Sequence, residues 1–285
     1  MITGMPRIAI AVRDFPTTVA TFRDKLGMPV IDMSESSVES LGAKLAMCVP
    51  KGGSNIELMS PADPAAPLSQ SLQRFLDRRG EGLFALMLEA PDPNAEADDL
   101  SGRGLNVLPL MAGAGGRDVH PNSTHGVLIR VYPVDSFRGQ QDPGNADDSD
   151  SPGLSGIARV IIAVHDLDHA VTVYGNKFAM VIDEPSVDAK RGVRSAICNP
   201  PSGGAIELVA VDDQSRSFAK SIMDFLDSNR EGMFALVLQS RDLQASAQKL
   251  AARGLKVSLS ADSPEVLEVE RTSTSGALVR IELPH

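Results

Sequence analysis

The stretch Ile8-Ala9-Ile10-Ala11-Val12-Arg13-Asp14 returns later in the chain as Val160-Ile161-Ile162-Ala163-Val164-His165-Asp166. The likeness continues: EGLFAL at residues 81–86 corresponds to EGMFAL at 231–236, and GVLIR at 126–130 to GALVR at 276–280. The spacing between matching segments is 152 residues at first and 150 residues afterwards. Self-similarity at one long period indicates an internal duplication. The 285 residues are therefore predicted to form two copies of one unit.

The segment between the two copies differs from both of them in composition. Residues 139–153 (GQQDPGNADDSDSPG) are rich in Asp, Ser, Gly and Pro and have almost no apolar side chains. Such a segment cannot bury enough surface to fold by itself and is typical of a solvated linker. We therefore predict a first domain at residues 1–134, an acidic linker at 135–156 and a second domain at 157–285.

Within each copy, strand-like and helix-like patterns alternate in a fixed order. In the first copy an apolar strand at residues 8–12 precedes a helix at 15–26, whose apolar positions are three to four residues apart. Three strand-like segments then follow, at 28–33, 43–49 and 55–60. The order repeats with a strand at 83–89, a helix at 94–103 and strands at 106–110, 117–120 and 127–132. The second copy shows the same order, which predicts an α+β fold of four βαβββ modules.

The overall charge limits the kinds of partner. The chain has 27 Lys+Arg against 37 Asp+Glu, a formal net charge of −10. Nucleic acids and anionic membrane surfaces attract clustered Lys and Arg, so we expect neither as a partner. No apolar run approaches the length of a membrane span, and the first residues lack the pattern of a secretory signal. We therefore expect a cytoplasmic protein.

Further motifs carry a family resemblance. The chain has KLGM at residues 25–28, IELMSP at 56–61, GEGLF at 80–84 and HPNSTHGVLIR at 120–130. Together with the repeated opening strand, they resemble the vicinal oxygen chelate superfamily of glyoxalases, bleomycin-resistance proteins and extradiol dioxygenases, and most closely the methylmalonyl-CoA epimerases. The resemblance covers nearly the whole chain outside the linker. It implies two duplicated domains with cupped sheets.

The resemblance also implies where a divalent metal would bind, typically through two His and two Glu or Gln. The four positions fall on Arg7, Glu57, Phe84 and Arg130 in the first copy, and on Arg159, Glu207, Phe234 and Arg280 in the second. Only the glutamate survives in each set. A guanidinium stays protonated and has no lone pair to donate, and a phenyl ring offers no ligand atom. We therefore predict no metal and no other cofactor.

Two interpretations of the altered cups stay open. In the first, Arg7 and Arg130 bridge Glu57 in a buried ion triad that replaces the metal, and Arg159, Glu207 and Arg280 do the same in the second copy. In the second interpretation, the surplus positive charge receives an anionic substrate through bidentate hydrogen bonds. That interpretation gives substrate-binding roles to Arg7, Phe84, Arg130, Tyr132, Arg159, Phe234 and Arg280, and catalytic roles to Glu57 and Glu207.

Two further residues of the first copy are candidates without a counterpart in the second. Glu39 lies near the position where the epimerase-like pattern carries a carboxylate base, and a base beside an enolisable carbon suits proton abstraction. It could equally be an exposed acid in a loop. His125, next to Gly126, could reach the mouth of the cup as a substrate-binding residue, or could be a turn residue.

Three functions follow from these observations. The first is a metal-independent epimerase, isomerase or lyase acting on a carbonyl, carboxylate or thioester compound. The second is a protein that binds a small molecule without transforming it, although a 4% aromatic content argues against a flat aromatic drug. The third and weakest is an extradiol-type dioxygenase, since the iron site of such an enzyme needs two His and a carboxylate. Two cups can form within one chain, so both a monomer and a homodimer stay open.

Overall fold

The first copy contains all but one of the elements that its sequence pattern predicts, and two additional helices. The structure, a computed structural model, describes residues 1–111, 113, 115–136 and 151–284. The elements of the first copy are β1 (Gly4–Ala11), α1 (Phe15–Ala20, continued by a π-helical turn Thr21–Lys25), β2 (Val30–Asp32), α2 (Ser34–Leu41), β3 (Ala43–Cys48), β4 (Asn55–Pro61), α3 (Pro67–Arg79), β5 (Gly82–Ala90), α4 (Pro93–Gly102), β6 (Arg117–Val119) and β7 (Leu128–Pro133).

The second copy repeats this order with small changes. Its elements are β8 (Ile157–Ala163), α5 (Leu167–Val171, continued by a π-helical turn Thr172–Lys177), β9 (Val181–Ile182), β10 (Ser186–Asp188), β11 (Val193–Asn199), β12 (Ala205–Val211), α6 (Ser217–Asn229), β13 (Gly232–Gln239), α7 (Leu243–Ala252), β14 (Val257–Leu259), β15 (Leu267–Val269) and β16 (Leu278–Glu282). A strand, β10, stands where the first copy has helix α2.

Each copy builds its own sheet. Among the described residues the first sheet has the order β2-β3-β4-β1-β5-β7-β6, and the second has β10-β11-β12-β8-β13-β16-β15-β14 with β9 against β11. The two modules of a copy join through the antiparallel pairs β1–β5 and β8–β13. This is the predicted arrangement of four βαβββ modules. The strand predicted at residues 106–110 is reduced to one bridge, between Val107 and Val119.

Helices α3 and α6 position the candidate sites because they cover the cups. We call the sheet face that carries Arg7, Glu57 and Arg130 the first cup face, and the face that carries Arg159, Glu207 and Arg280 the second. Helix α3 packs its apolar stripe, Leu68, Leu72 and Leu76, against Ala9, Ala11 and Phe84 of the first cup face. Helix α6 covers the second cup face in the same way, through Phe218, Ile222 and Leu226. Both cups are therefore roofed from within the chain.

The opposite faces of the two sheets belong to one continuous core. This core contains Ile8 and Ile10 of the first copy together with Val160 and Ile162 of the second. Its many fully buried aliphatic side chains make hydrophobic burial the main force that holds the copies together. None of the helices in the described ranges combines the length and apolar character that crossing a bilayer would require.

Backbone contacts fix the relative placement of the copies. Ser54 and Ile157 exchange N–H···O hydrogen bonds of 2.8 Å, and the N–H of Met5 donates to the Ser202 carbonyl at 2.9 Å. Residues 151–156, the described end of the predicted linker, take part: the Ser155 N–H donates to the Gln239 carbonyl at 2.9 Å. Residues 137–150 of that linker lie outside the described ranges.

Candidate functional site

The first cup contains two separate buried ion pairs. Arg7 on β1 donates from Nε to Glu57 Oε2 on β4 at 2.9 Å, and both side chains are buried. Arg130 on β7 donates from Nε and a terminal nitrogen to the two carboxylate oxygens of Asp118, its cross-strand partner on β6. The Tyr132 ring lies 4.4 Å from the Arg7 guanidinium. Although burial lowers the pKa of Arg7, the Glu57 carboxylate raises it above its ordinary value overall.

This arrangement corrects the triad predicted for the first copy. Arg130 pairs with Asp118 and not with Glu57, so two carboxylates balance the two arginines. The two arginines and two carboxylates carry no net charge, so the surplus positive charge predicted for the first cup face is not present in these ion pairs. The cross-strand register explains the difference, because Asp118 stands directly opposite Arg130, where a pair of opposite charges meets most easily.

The second cup contains a larger network built around Glu207. This carboxylate is 1% exposed. Its Oε2 lies 2.8 Å from Arg159 Nε in an ion pair, and its Oε1 accepts a hydrogen bond of 2.7 Å from Arg191. Arg159 also donates to Glu282, and Arg191 to Asp188. The predicted triad thus exists here, but Arg191 takes the place that was assigned to Arg280. Arg191 Nε donates to Asp188 at 2.7 Å, and this hydrogen bond orients the guanidinium towards Glu207.

Arg280 is less well compensated than its counterpart Arg130. It is 1% exposed, and its nearest carboxylate oxygen belongs to Glu268, 3.4 Å away. Its guanidinium also lies 4.4 Å from the Phe218 ring on helix α6. Burial lowers the pKa of Arg280, and the charge of Glu268 opposes that shift only in part. The same position is therefore tightly paired in one copy and loosely paired in the other.

The two phenylalanines at the inherited metal positions pack against the roofing helices. Phe84 contacts Phe75 of α3 edge-on at 5.3 Å between ring centroids, and Phe234 contacts Phe225 of α6 at 5.4 Å. Strict alternation along β5 predicts Leu86 and Leu88 on the same face as Phe84. That prediction is wrong, because a register shift between β1 and β5 turns Phe84, Ala85 and Met87 towards the cup and Leu86 and Leu88 into the shared core.

Neither Glu39 nor His125 has a hydrogen bond or ion pair to the described ion-pair clusters. Glu39 is exposed on α2, and its side chain has no hydrogen bond or ion pair in the part of the chain that the structure describes. His125 is buried at the junction between the copies, with a φ of 53°. Its Nδ1 lies 3.0 Å from Glu231 Oε2, and its Nε2 lies 2.9 Å from His169 Nδ1. The structure thus places His125 in an interface between copies.

Glu231 makes this interface sensitive to acid. Burial raises the pKa of Glu231, but hydrogen bonds from His125 and from the His165 N–H outweigh it and leave the pKa below the ordinary value. A carboxyl whose pKa is lowered by folding stabilises the fold above its ordinary pKa, and this contribution disappears as the pH falls through the folded value. We expect Glu231→Gln to be less stable than the wild type at neutral pH and to lose less stability between about pH 5.5 and pH 3.

Urea unfolding midpoints across that pH range measure this effect. Exposed Glu39→Gln is the matched control and should follow the wild-type pH dependence. Parallel pH profiles for Glu231→Gln and the wild type would contradict the assignment.

The residues on the cup faces do not fit a metal. In each copy the four implied ligand positions include one carboxylate, Glu57 or Glu207, and arginines form ion pairs with both. Among the residues that the structure places, no three His, Cys, Asp or Glu side chains converge into a possible metal site. The donor set is thus the wrong kind as well as too small, since arginine cannot donate a lone pair.

Sequence reasoning missed several partners in these clusters. Asp118, Glu268 and Glu282 were not singled out, and the cup-covering helices α3 and α6 were not predicted. A signal existed for the helices: Leu68, Leu72 and Leu76 recur at a spacing of four residues, as a helix with one buried face requires. Asp118 and Glu268 occupy equivalent positions in the two copies, which marks the position as acidic without revealing its partner.

A cleft lies at the junction of the copies, beside the cups, and none of the ion-paired residues of the cups lines it. Two adjoining cavities of about 720 and 460 Å³ share Phe75, Arg79, Leu83 and Met233. We call them together the junction cleft. Their volumes are in the range of small-molecule sites. The ends of α3 and α6 form its walls, and the starts of β5 and β13 contribute its apolar floor.

Known proteins match both halves of the chain. Residues 7–120 match the model of the glyoxalase/bleomycin resistance protein/dioxygenase superfamily, and residues 160–283 match that of a glyoxalase-like domain. A triple mutant of 4-hydroxymandelate synthase from Streptomyces coelicolor has a TM-score of 0.69 at 14% identity, over 99% of this chain and 92% of its own. Methylmalonyl-CoA epimerase from Mycobacterium tuberculosis has a TM-score of 0.40 at 26% identity, over 46% and 89%. No curated protein sequence matches. The family matches and the first of these structures confirm the predicted fold.

Proposed function

We propose that this chain, which belongs to the glyoxalase/bleomycin resistance protein/dioxygenase superfamily, binds an anionic small molecule without a metal and without transforming it. The observation that carries the proposal is the state of the two cup faces. Where the superfamily resemblance implies metal ligands, this chain has arginine–carboxylate pairs roofed by its own helices α3 and α6. Their role in this proposal is structural.

The buried carboxylates argue for binding and against catalysis. A general base needs a carboxylate that can reach the substrate and accept its proton. Glu57 and Glu207 are buried in ion pairs with Arg7, Arg159 and Arg191, so a substrate cannot reach them. Glu39 is accessible, but it lines neither cavity of the junction cleft. An extradiol-type site would need histidines that the cup faces lack.

The position of the unpaired positive charge indicates that the ligand is an anion. The cup arginines face carboxylates, whereas the junction cleft is lined by several arginines for which the described residues provide no carboxylate partner. In a chain with a net charge of −10, such a local surplus is the natural place for an anion.

Two measurements test this function. Elemental analysis of the purified protein should find well below one equivalent of any transition metal per chain, and a stoichiometric metal would contradict the proposal. A thermal-shift panel of carboxylates, phosphate esters and acyl thioesters should contain at least one anion that raises the Tm. A ligand at 100 times its Kd stabilises by about 2.7 kcal/mol, which is readily detected. Consumption of that ligand by the metal-free protein would favour the enzyme instead.

A further inference from the structure

The arginines of the junction cleft differ from all those in the cups. The larger cavity is lined by three arginines from the end of helix α3 and one that follows helix α6: Arg74, Arg78, Arg79 and Arg230. All four are exposed, and across the described ranges none has a hydrogen bond or ion pair from its side chain. The one carboxylate of that cavity, Glu231, is engaged by His125 and the His165 N–H. The positive charge of the cavity is therefore not neutralised from within.

Two of these arginines, Arg79 of the first copy and Arg230 of the second, line the same cavity from opposite sides of the junction. Arg79 reaches from the first copy to the second, where one of its terminal nitrogens lies 3.1 Å from the position that a Cβ on Gly232 would occupy. Arg79 is exposed but partly desolvated, which lowers its pKa, and the charge of Arg230 lowers that pKa further. Repulsion between the two guanidiniums is unfavourable in the unliganded protein. An anion bound between them would attract both and offset that repulsion.

Arg230 also has a strained backbone. Its φ is +61°, a left-handed conformation that side chains other than glycine rarely adopt. The equivalent residue of the first copy is Gly80, with a φ of +75° at the same helix end. An arginine in a position where glycine would be relaxed indicates that its side chain is needed there.

The surroundings of these charges define the ligand. The apolar floor of the cleft is made by Phe75, Leu83, Phe84 and Met233. We propose that the junction cleft binds a phosphate monoester of an apolar or aromatic alcohol, with the phosphate between Arg79 and Arg230 and the apolar body on this floor. This site rests on the proposed binding function and gives it a place and a ligand class. Four guanidiniums match a group of nearly two negative charges and three acceptor oxygens better than a single carboxylate.

The electrostatic balance of the cleft supports an anion. The carboxyl ends of α3 and α6 contribute only about half a negative charge each, which four arginines outweigh. In the smaller cavity, Asn229 and Asp224 stand where the first copy has Arg79 and Arg74. The smaller cavity also contains Arg271, but Glu81 and Asp224 add two carboxylates there, so the excess of arginine over carboxylate lies in the larger cavity.

Calorimetric titration with phenyl phosphate tests the site. We expect the wild type to bind phenyl phosphate more tightly than inorganic phosphate or benzoate, and Arg230→Gly and Arg79→Gln each to weaken that binding about tenfold or more. Arg230→Gly should also raise the Tm of the unliganded protein, because glycine relieves the left-handed strain. Loss of binding in a more stable protein separates a binding role from damage to the fold. Arg241→Ala removes an exposed arginine outside the cleft and should bind like the wild type.

Several outcomes would overturn the site. They are the absence of phenyl phosphate binding, equal binding of inorganic phosphate, and undiminished binding by Arg230→Gly. If an anion from the thermal-shift panel stabilises the wild type and Arg230→Gly equally, the binding function stands and its location is elsewhere. A stoichiometric metal would instead contradict the proposed metal-free function. The titration with phenyl phosphate would still show whether the junction cleft binds a phosphate monoester.

Discussion

Glu207→Ala is expected to destabilise the protein by about 3–5 kcal/mol, the cost of removing one partner from a buried ion network. Glu207 is 1% exposed, and one oxygen faces Arg159 while the other accepts from Arg191. Without it, two guanidiniums remain in the cup with only Glu282 and Asp188 to face them. Urea unfolding followed by circular dichroism, with the folded baseline checked for native helix content, measures the loss.

The exposed Glu39→Ala is the control for that experiment. A surface acid without partners in the described structure should change the free energy of unfolding by no more than about 0.5 kcal/mol. A loss below about 1 kcal/mol for Glu207→Ala would contradict the structural role of the network. It would favour the other interpretation, in which the arginines of the second cup, such as Arg159 and Arg280, bind an anionic ligand.

Gly276→Ala is expected to cost about 3 kcal/mol or more, because it strains the backbone and forces the two copies apart. Gly276 has a φ of +82°, and a Cβ at this position would overlap the carbonyl oxygen of Glu81 in the other copy. Backbone cannot move aside as a flexible side chain can. Gly126 makes the equivalent contact with Glu231, so Gly126→Ala should behave in the same way.

Gly80→Ala separates the two causes of that loss. Gly80 has a similar φ of +75°, but a Cβ there would meet open space. We expect it to cost only the backbone penalty of about 1–2 kcal/mol. Thermal and urea unfolding of the three variants would show the difference. Equal losses for Gly80→Ala and Gly276→Ala would mean that the close packing at the junction does not contribute to stability.

Much of the fold was open to prediction because its signals are local or repeated. The strand at residues 8–12, the helix after it and the duplication all follow from side-chain spacing and from segments that occur twice. Helices α3 and α6 were missed although their apolar stripes are present. The bulge before Ala85 was missed for a different reason: it depends on how β1 and β5 pair, and a one-residue slip reverses every side chain beyond it.

The candidate sites were predictable only in part. The poor fit between the implied ligand positions and a metal is visible residue by residue, since arginine and phenylalanine offer a metal no lone pair. The partners of those arginines are not visible in this way. Asp118 faces Arg130 through the register of β6 and β7. Arg191 reaches Glu207 from the turn after β10, where the first copy has Leu41 at the end of helix α2. The unpaired arginines of the cleft come together only where two distant helices end.

The sequence by itself thus determined a duplicated chain of four modules whose inherited ligand positions could not hold a metal. Which charges neutralise one another was decided by the tertiary structure. An ion pair requires a few ångströms between groups that lie far apart in the chain, and strand register, the bulge and the packing of one copy on the other set that distance. The same packing brought Arg79 and Arg230 into one cavity, where no carboxylate of the described residues pairs with either of them.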